Sequence, residues 1–395
     1  MLHILYLVPH VPNPTKIRSH FQVQGLKDAG HRVTVATLIK SPQDAKHVEK
    51  LREKGFAVIA VHISKFRLGF NALRTLFGSP NPLQSHFFWS PFLWEQLKQL
   101  IQTDSPDVIH VEHLRMAEYG LKLLPNERIV WDAVDYLSSL YQQASQNVSN
   151  PLVRAIYRLE SKRLASYEPD LTARFPKTLV ISAKDQALFQ QKHPQPERVI
   201  YHPQGLPLNK ELSGQLREEN TLVITGTLNY HPNVTSVLYF VNEIFPLIRQ
   251  KNPNVRLKLV GANPDSSILK LQADPAVEIT GFVPSVLDYL GRASIALAPI
   301  TYGSGIQIKV LEAFMTGTPL VATSTALRGL DVQHEQEVWI ADTPQAFADA
   351  VLDLLKDAEL RARLGEAGRK YVVERHDLQA TTQSLIDLYT GLFNA

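Results

Sequence analysis

Short apolar runs alternating with amphipathic stretches, over nearly the whole chain, constrain the fold more than any other feature. Residues 2–8 read as a buried strand, residues 19–29 as a helix closed by Gly30, and residues 32–39 as the next strand. Ser41 and Pro42 supply a cap and a first-turn proline for a helix ending at Gly55, ahead of a strand over residues 56–63. That order calls for a parallel sheet with helices on both faces. Ser90-Pro91 opens another helix, residues 107–111 and 128–133 read as strands, and strand-like runs recur at 178–182 and 199–202. Residues 201–219, rich in Pro, Gly and polar side chains without periodicity, read as a linker. A second series comes after it, with strands at 222–225, 256–260, 277–280, 295–298, 320–322 and 338–340, then helices at 344–355, 358–371 and 378–393. The fold class expected is α/β, with two doubly wound domains at 1–203 and 204–376. The last helix, within 377–395, is expected to cross back onto the first domain. Ligand loops sit at the carboxyl ends of parallel strands, so two such domains facing one another would place theirs around a shared cleft.

A chain of 395 residues with 44% hydrophobic content can hold two or three cores. Its net charge of +3 comes from basic residues spread among acidic ones, a pattern that does not point to nucleic acid. With no cysteine, disulfides, thiolate metal sites and cysteine nucleophiles are excluded. Neither HExxH, an Asp-x-Asp pair nor clustered histidines occur, and no metal is expected. The absence of GxSxG, of a Walker loop and of a complete GxGxxG after the first strand argues against hydrolases, P-loop enzymes and typical dehydrogenases. Residues 1–10 lack a basic leader and a cleavage site, and no apolar run reaches the ~20 residues that span a bilayer. A cytoplasmic protein is expected, with the inner face of the membrane as its one membrane surface. Residues 65–77 mix Lys65, Arg67 and Arg74 with Leu68, Phe70, Leu73, Leu76 and Phe77. Such a segment either packs on its own domain, the reading preferred here, or makes a peripheral contact with anionic lipid and a lipid-linked acceptor.

The carboxyl edge of each predicted sheet carries the candidate ligand groups. Residues 301–324 form a strand-loop-helix-strand unit in which Gly303, Ser304, Gly305 and Ile306 precede a helix whose first amides favour an anion. Lys309 and Glu312, three apart, share a face near its start, where the cation suits a phosphate and the carboxylate suits two ribose hydroxyls. Glycine and small polar residues recur after three other strands, at Gly226, Thr227 and Asn229, at Gly261, and at Gly281 with Phe282 and Val283. Together they suggest a wall of backbone amides suited to a nucleotide. In the first half, Lys16 and Arg18 can meet an anion at a helix start, His113 directly follows a strand, Asp132 suits a core position satisfied by backbone donors, and Asp135 is placed to meet hydroxyls.

The segments GTLNYHPN at 226–233, VGANP at 260–264, TGFV at 280–283 and GSGIQIKVLEA at 303–313 resemble, in that order, the GT-B retaining glycosyltransferases of family 4, and specifically the subgroup making bacterial surface polysaccharides. The resemblance covers nearly the whole chain. It implies two Rossmann-like domains, a nucleotide-diphosphate-sugar donor held mainly by the second, and a saccharide or lipid-linked saccharide acceptor held mainly by the first. No further cofactor is implied. By position Glu312 matches the second glutamate of the Glu-(seven residues)-Glu motif, which binds ribose, while Ser304 stands where the first would be. Thr227 stands where an arginine usually grips the diphosphate, leaving Lys309 and the amides of Gly305 and Ile306 to supply that role. The turn at Gly281, Phe282 and Val283 matches the base-binding turn, and His113 matches a histidine near the transferred sugar. The reaction implied is transfer to a hydroxyl with retention, the departing phosphate taking the proton. Two alternatives stand beside it. One is a non-catalytic nucleotide-sugar binder, suggested by the missing glutamate and arginine; the other is a nucleotide-sugar 2-epimerase, whose paired carboxylates the sequence does not show.

Overall fold

A computed structural model describes residues 1–124, 128–148, 150–191, 194–208, 216–302 and 305–393. The chain divides into two compact units, Met1–Pro207 with Leu378–Ala395, and Leu208–Asp377. The first holds a seven-stranded sheet of β1 (His3–Leu7), β2 (Arg32–Ile39), β3 (Ala57–His62), β4 (Val108–Glu112), β5 (Ile129–Val134), β6 (Lys177–Val180) and β7 (Val199–Tyr201) in the order β3-β2-β1-β4-β5-β6-β7. All its pairings are parallel. The second holds a six-stranded parallel sheet of β8 (Glu218–Thr225), β9 (Arg256–Val260), β10 (Val277–Gly281), β11 (Ala293–Ala298), β12 (Leu320–Ala322) and β13 (Trp339–Ile340), ordered β10-β9-β8-β11-β12-β13.

Strands such as β1 and β11 are buried along their whole length, as unbroken apolar runs in a sheet covered on both faces must be. Local signals fix the helices between them. Ser41 accepts from the Asp44 amide with Pro42 in the first turn of the helix Pro42–Glu53, and Ser90 accepts from Leu93 ahead of the helix Pro91–Thr103. In the first unit one layer gathers Leu93, Leu97, Trp131, Leu171 and Phe175, and the other Tyr6, Val23, Val35 and Leu385. The second layer is completed by the helix Leu378–Gly391, which packs on the helix Ile17–Asp28 and places the Tyr389 hydroxyl 2.8 Å from His110 Nδ1.

Residues 65–77 follow the packed reading along one face only, where Leu68 meets the first core and Leu76 is half-buried. The helix Lys65–Gly78 buries Asn71 and Thr75, with Asn71 Nδ2 donating to the Phe87 and Trp89 carbonyls at 3.1 and 2.9 Å. Its other apolar side chains point the other way, with Phe66 84%, Phe70 50%, Leu73 57% and Phe77 81% exposed. The backbone carbonyls beneath the helix offer acceptors, so Asn71 turns inward. Among the described residues no helix is long and apolar enough to cross a membrane.

Candidate functional site

An open parallel sheet has one point where its strand order reverses, and the loops leaving the two strands there part to form a crevice. In the second unit that point lies between β8 and β11. The helix Ile308–Met315, entered from the loop after β11, buries Val310, Leu311, Ala313 and Phe314 and leaves Lys309 and Glu312 half-buried. Lys309 Nζ donates to Asn233 Oδ1 at 2.7 Å, and Asn233 Nδ2 donates to the Thr227 carbonyl at 3.0 Å. A further hydrogen bond joins His231 Nδ1 and the Tyr302 hydroxyl. The loops after β8 and β11 are thus tied together around the lysine. Gly226 permits this closeness: its φ is +144°, and a Cβ there would lie 2.8 Å from Asn233 Nδ2 and 3.3 Å from Lys309 Nζ. Gly261 is equally constrained, since a Cβ would fall 1.8 Å from the Gly226 carbonyl oxygen.

Burial pulls the Lys309 ammonium down to about 8, partly opposed by Glu312. Burial likewise pushes the Glu312 carboxyl up to about 7, partly opposed by Lys309. The cation's hydrogen-bond partner is a neutral amide, so an incoming anion would meet an ammonium that is held in place and short of counter-charge. Around it, Thr227 and Asn229 are exposed on the loop after β8, and Gly305 has φ +70°. Ile306 packs against Gly329, where a Cβ would meet its Cγ1 at 2.8 Å. Gly281, φ +68°, ends β10 and presents Phe282, 80% exposed, beside a half-buried Val283. Gly303 and Ser304 lie outside the described residues.

In the first unit the reversal lies between β1 and β4. His113, directly after β4, has φ +69°, a strained value for a residue with a Cβ. Its Nδ1 accepts from the Arg115 amide at 3.2 Å, which leaves the ring proton on Nε2. Burial lowers its pKa to about 3, with Arg115 adding to the effect, so the ring is neutral near pH 7 and offers one N–H. Asp135 is half-buried and pushed up to about 7 by burial and by Asp185. Val134 beside it has φ +68°, where the β5–β6 register shifts.

Arg18 is a correction. Its side chain is buried, with Nε donating to Asp132 Oδ2 at 2.8 Å and a terminal nitrogen donating to the His202 carbonyl at 3.2 Å. Asp132 in turn is satisfied by this guanidinium, held well below the usual carboxylate range by Arg18 and His110 against the effect of burial. The anion that Arg18 meets is therefore internal, and Asp132 relies on a cation more than on backbone donors. Lys16, by contrast, stays exposed at the start of the helix Ile17–Asp28.

His10, Lys40 and Arg115 are neighbours of these sites that the motifs do not single out, and Asn233, the last residue of the segment 226–233, is one to which the motifs attach no role. Lys40 directly succeeds the last residue of β2 and Arg115 lies three residues beyond β4, so both occupy the strand-end positions where ligand groups gather. Among the described residues no group of three or more His, Asp or Glu side chains is placed to hold a metal ion.

Residues 219–357 match the family model described as Glycosyl transferases group 1. A 44.6 kDa protein in the cps region of Klebsiella pneumoniae is 22% identical over 293 residues, covering 68% of this chain and 71% of that one. The phosphatidyl-myo-inositol mannosyltransferase of Mycobacterium leprae is 29% identical over 189 residues, 45% of this chain and 48% of its own, so the match spans about half of that relative. Over the whole chain the structure is similar to a sucrose-phosphate synthase from Thermosynechococcus elongatus, with TM-score 0.72, 16% identity and 100% of both chains covered. HepE of Anabaena in complex with UDP and glucose gives TM-score 0.69 at 15% identity, covering 99% of this chain and 100% of its own. Residues 219–357 are thus similar to the glycosyl transferases group 1 family, and the chain's two parallel sheets with alternating helices match the fold of GT-B glycosyltransferases.

Proposed function

We propose that this chain transfers a sugar from a nucleotide-diphosphate-sugar to an acceptor hydroxyl, with retention of configuration and without a metal ion, in the synthesis of a cell-surface polysaccharide or glycoconjugate. The observation that carries the reading is Lys309, anchored on a neutral amide at the strand-order reversal of the second sheet, with Glu312 one turn further along the same helix. In this reading the donor diphosphate lies against Lys309 and the amides at the start of that helix, and Glu312 receives the ribose hydroxyls. The exposed Phe282 ring gives the base a face to stack on. The acceptor hydroxyl attacks from the face the diphosphate leaves, and the departing phosphate takes its proton. Lys309 meets charge as it develops on the leaving group, the kind of stabilisation that lowers a barrier most. His113 offers Nε2–H to a sugar hydroxyl. The polysaccharide role draws on the relative in the Klebsiella cps region, and the nucleotide-sugar donor on the UDP complex of HepE.

A lipid-linked acceptor, met at the inner face of the membrane, belongs to the same proposal. The stripe of Phe66, Phe70, Leu73 and Phe77 is flanked by Lys65, Arg67 and Arg74, and the helix carries no acidic residue, a combination that suits anionic lipid. A shallow groove lined by Phe66, Phe70, Pro91 and Phe92 extends the apolar surface.

A thermal-shift panel of UDP, GDP, ADP, CMP and dTDP tests the reading first. One nucleotide should raise the melting temperature by several degrees, and Lys309→Met should abolish that shift. Its sugar conjugate should then transfer in the presence of EDTA at an unchanged rate, giving a product with the donor's anomeric configuration. A Lys309→Met chain that still binds and turns over like wild type would overturn the assignment.

A further inference from the structure

The carboxyl edge of the first sheet collects positive charge, and none of its cations is ion-paired with a carboxylate among the described residues. Lys40, at the end of β2, places Nζ 2.7 Å from His10 Nδ1 and 3.1 Å from the Pro9 carbonyl, both on the loop after β1. The same ammonium lies 4.8 Å from the centroid of the Phe88 ring, and the guanidinium of Arg115, from the turn after β4, lies 5.3 Å from it. The His10 ring meets Phe88 edge-on at 6.2 Å. Phe88 is buried, so it acts as a fixed post that draws side chains from three adjacent strands, β2, β1 and β4, to one spot. Lys16 stands on the same loop as His10, and its charge reaches both His10 and Lys40.

Arg115 and Lys16 both bear on Lys40. Burial brings the Lys40 ammonium down to about 8, with Arg115 and Lys16 adding to the effect and Asp44 opposing it. Burial and the surrounding positive groups keep His10 neutral. Arg115 donates Nε to Gln84 Oε1 at 2.8 Å, a neutral partner. Among the described residues none of Lys16, Lys40 and Arg115 has a carboxylate within ion-pair distance. Holding like charges together in partial burial costs stability unless an anion joins them. The cluster borders the β1/β4 reversal, the position where a doubly wound sheet takes its ligand, and His113 opens onto the same edge.

We propose that Lys16, Lys40 and Arg115 form an anion subsite for the acceptor, which carries a phosphate or carboxylate group close to the hydroxyl that receives the sugar. This rests on the first unit holding the acceptor, as in the function proposed above. Arg115 supplies planar, forked donors and Lys40 and Lys16 point charges, a set that accepts either oxyanion. A neutral sugar would leave the repulsion unrelieved.

The test uses the full chain saturated with whichever nucleoside diphosphate stabilises it, so that the Lys309 site is filled. Methyl phosphate, methyl glucuronide and methyl glucoside are titrated in turn, monitored by calorimetry and by the histidine Hε1 resonances in NMR. One of the two anions should bind in the millimolar range and shift the His10 resonance, while the glucoside does neither; which anion binds identifies the group. Lys40→Met and Arg115→Gln should each weaken that binding about tenfold, the scale of one lost charge-assisted contact. Lys16→Ala, an exposed change that leaves folding intact, should weaken it by a smaller factor. Absence of anion binding, or binding that all three variants leave unchanged, overturns the subsite. A chain that binds these anions but no nucleoside diphosphate would instead sink the transferase reading, and the acceptor identity with it.

Discussion

At the scale of single residues, the proposed donor site at Lys309 and Glu312 predicts a pH window. The ammonium gives up its proton through about 8, and the carboxyl takes one below about 7. A nucleotide-sugar has no diphosphate pKa in this range, so its affinity reports the protein groups alone. Affinity should be greatest between about pH 7 and 8. On the alkaline side it falls as Lys309 turns neutral, and Lys309→Arg should carry that limb beyond about pH 10, because guanidinium stays charged. On the acid side it falls as Glu312 stops accepting from hydroxyls, and Glu312→Gln should remove that limb while lowering affinity about tenfold near neutral pH. Calorimetric titrations at a series of pH values check both limbs. Much of this site is legible before folding, because Gly226, Gly261, Lys309 and Glu312 sit at fixed offsets from strands that their apolar runs disclose. Arg18 is not: its role depends on Asp132, 114 residues away in sequence, and a pairing of that separation leaves no local trace.

At the scale of elements, the helix Pro151–Arg174 organises the first unit in a way its sequence conceals. Pro169 lies inside it, and Leu152, Ile156 and Leu159 on its surface are exposed, so the apolar spacing that discloses a packed helix is blurred. Its buried acids cap other helices. Glu168 accepts from the Leu137 and Ser138 amides at 2.6 and 3.1 Å, and Glu160 accepts from Leu83 through both oxygens at 2.9 and 3.0 Å. Glu168→Ala strands two amides at a helix start and should cost about 2 kcal/mol, read from urea denaturation. Burial raises the Glu168 carboxyl to about 7 from an ordinary 4.5. The folded chain then holds this proton more tightly, so the group's contribution is complete below pH 4.5 and is lost as pH climbs to about 7; Glu168→Gln should flatten that part of the stability profile. The helix Lys65–Gly78 gives a second expectation. Its spacing is visible in the sequence, but whether the stripe faces the core depends on what lies beneath, and here Asn71 finds two carbonyls there. Sedimentation with vesicles containing phosphatidylglycerol should carry the wild type down and leave Phe66→Ser/Phe77→Ser in solution, with neutral phosphatidylcholine vesicles binding neither.

At the scale of the whole molecule, two sheets built on the same strand order reversal follow from the alternation of apolar and amphipathic segments, and most strands fall within a residue or two of where those runs end. The early start of β8 at Glu218 departs furthest, because polar residues join a ladder through backbone atoms alone. The path of the chain carries a further consequence. It leaves the first unit at Pro207 and re-enters at Leu378, and the Leu378 amide donates to the Leu206 carbonyl at 3.0 Å. Exit and re-entry therefore touch, as the two ends of an excised loop would. A gene encoding residues 1–207, a few glycines and serines, and residues 378–395 should yield a soluble, cooperatively melting miniature, with Tyr389 still seated beside His110. The intervening body, residues 208–377, is thus spliced into its host like a cassette, and the C-terminal tail, remote in sequence from everything it supports, is the clasp that shuts the case.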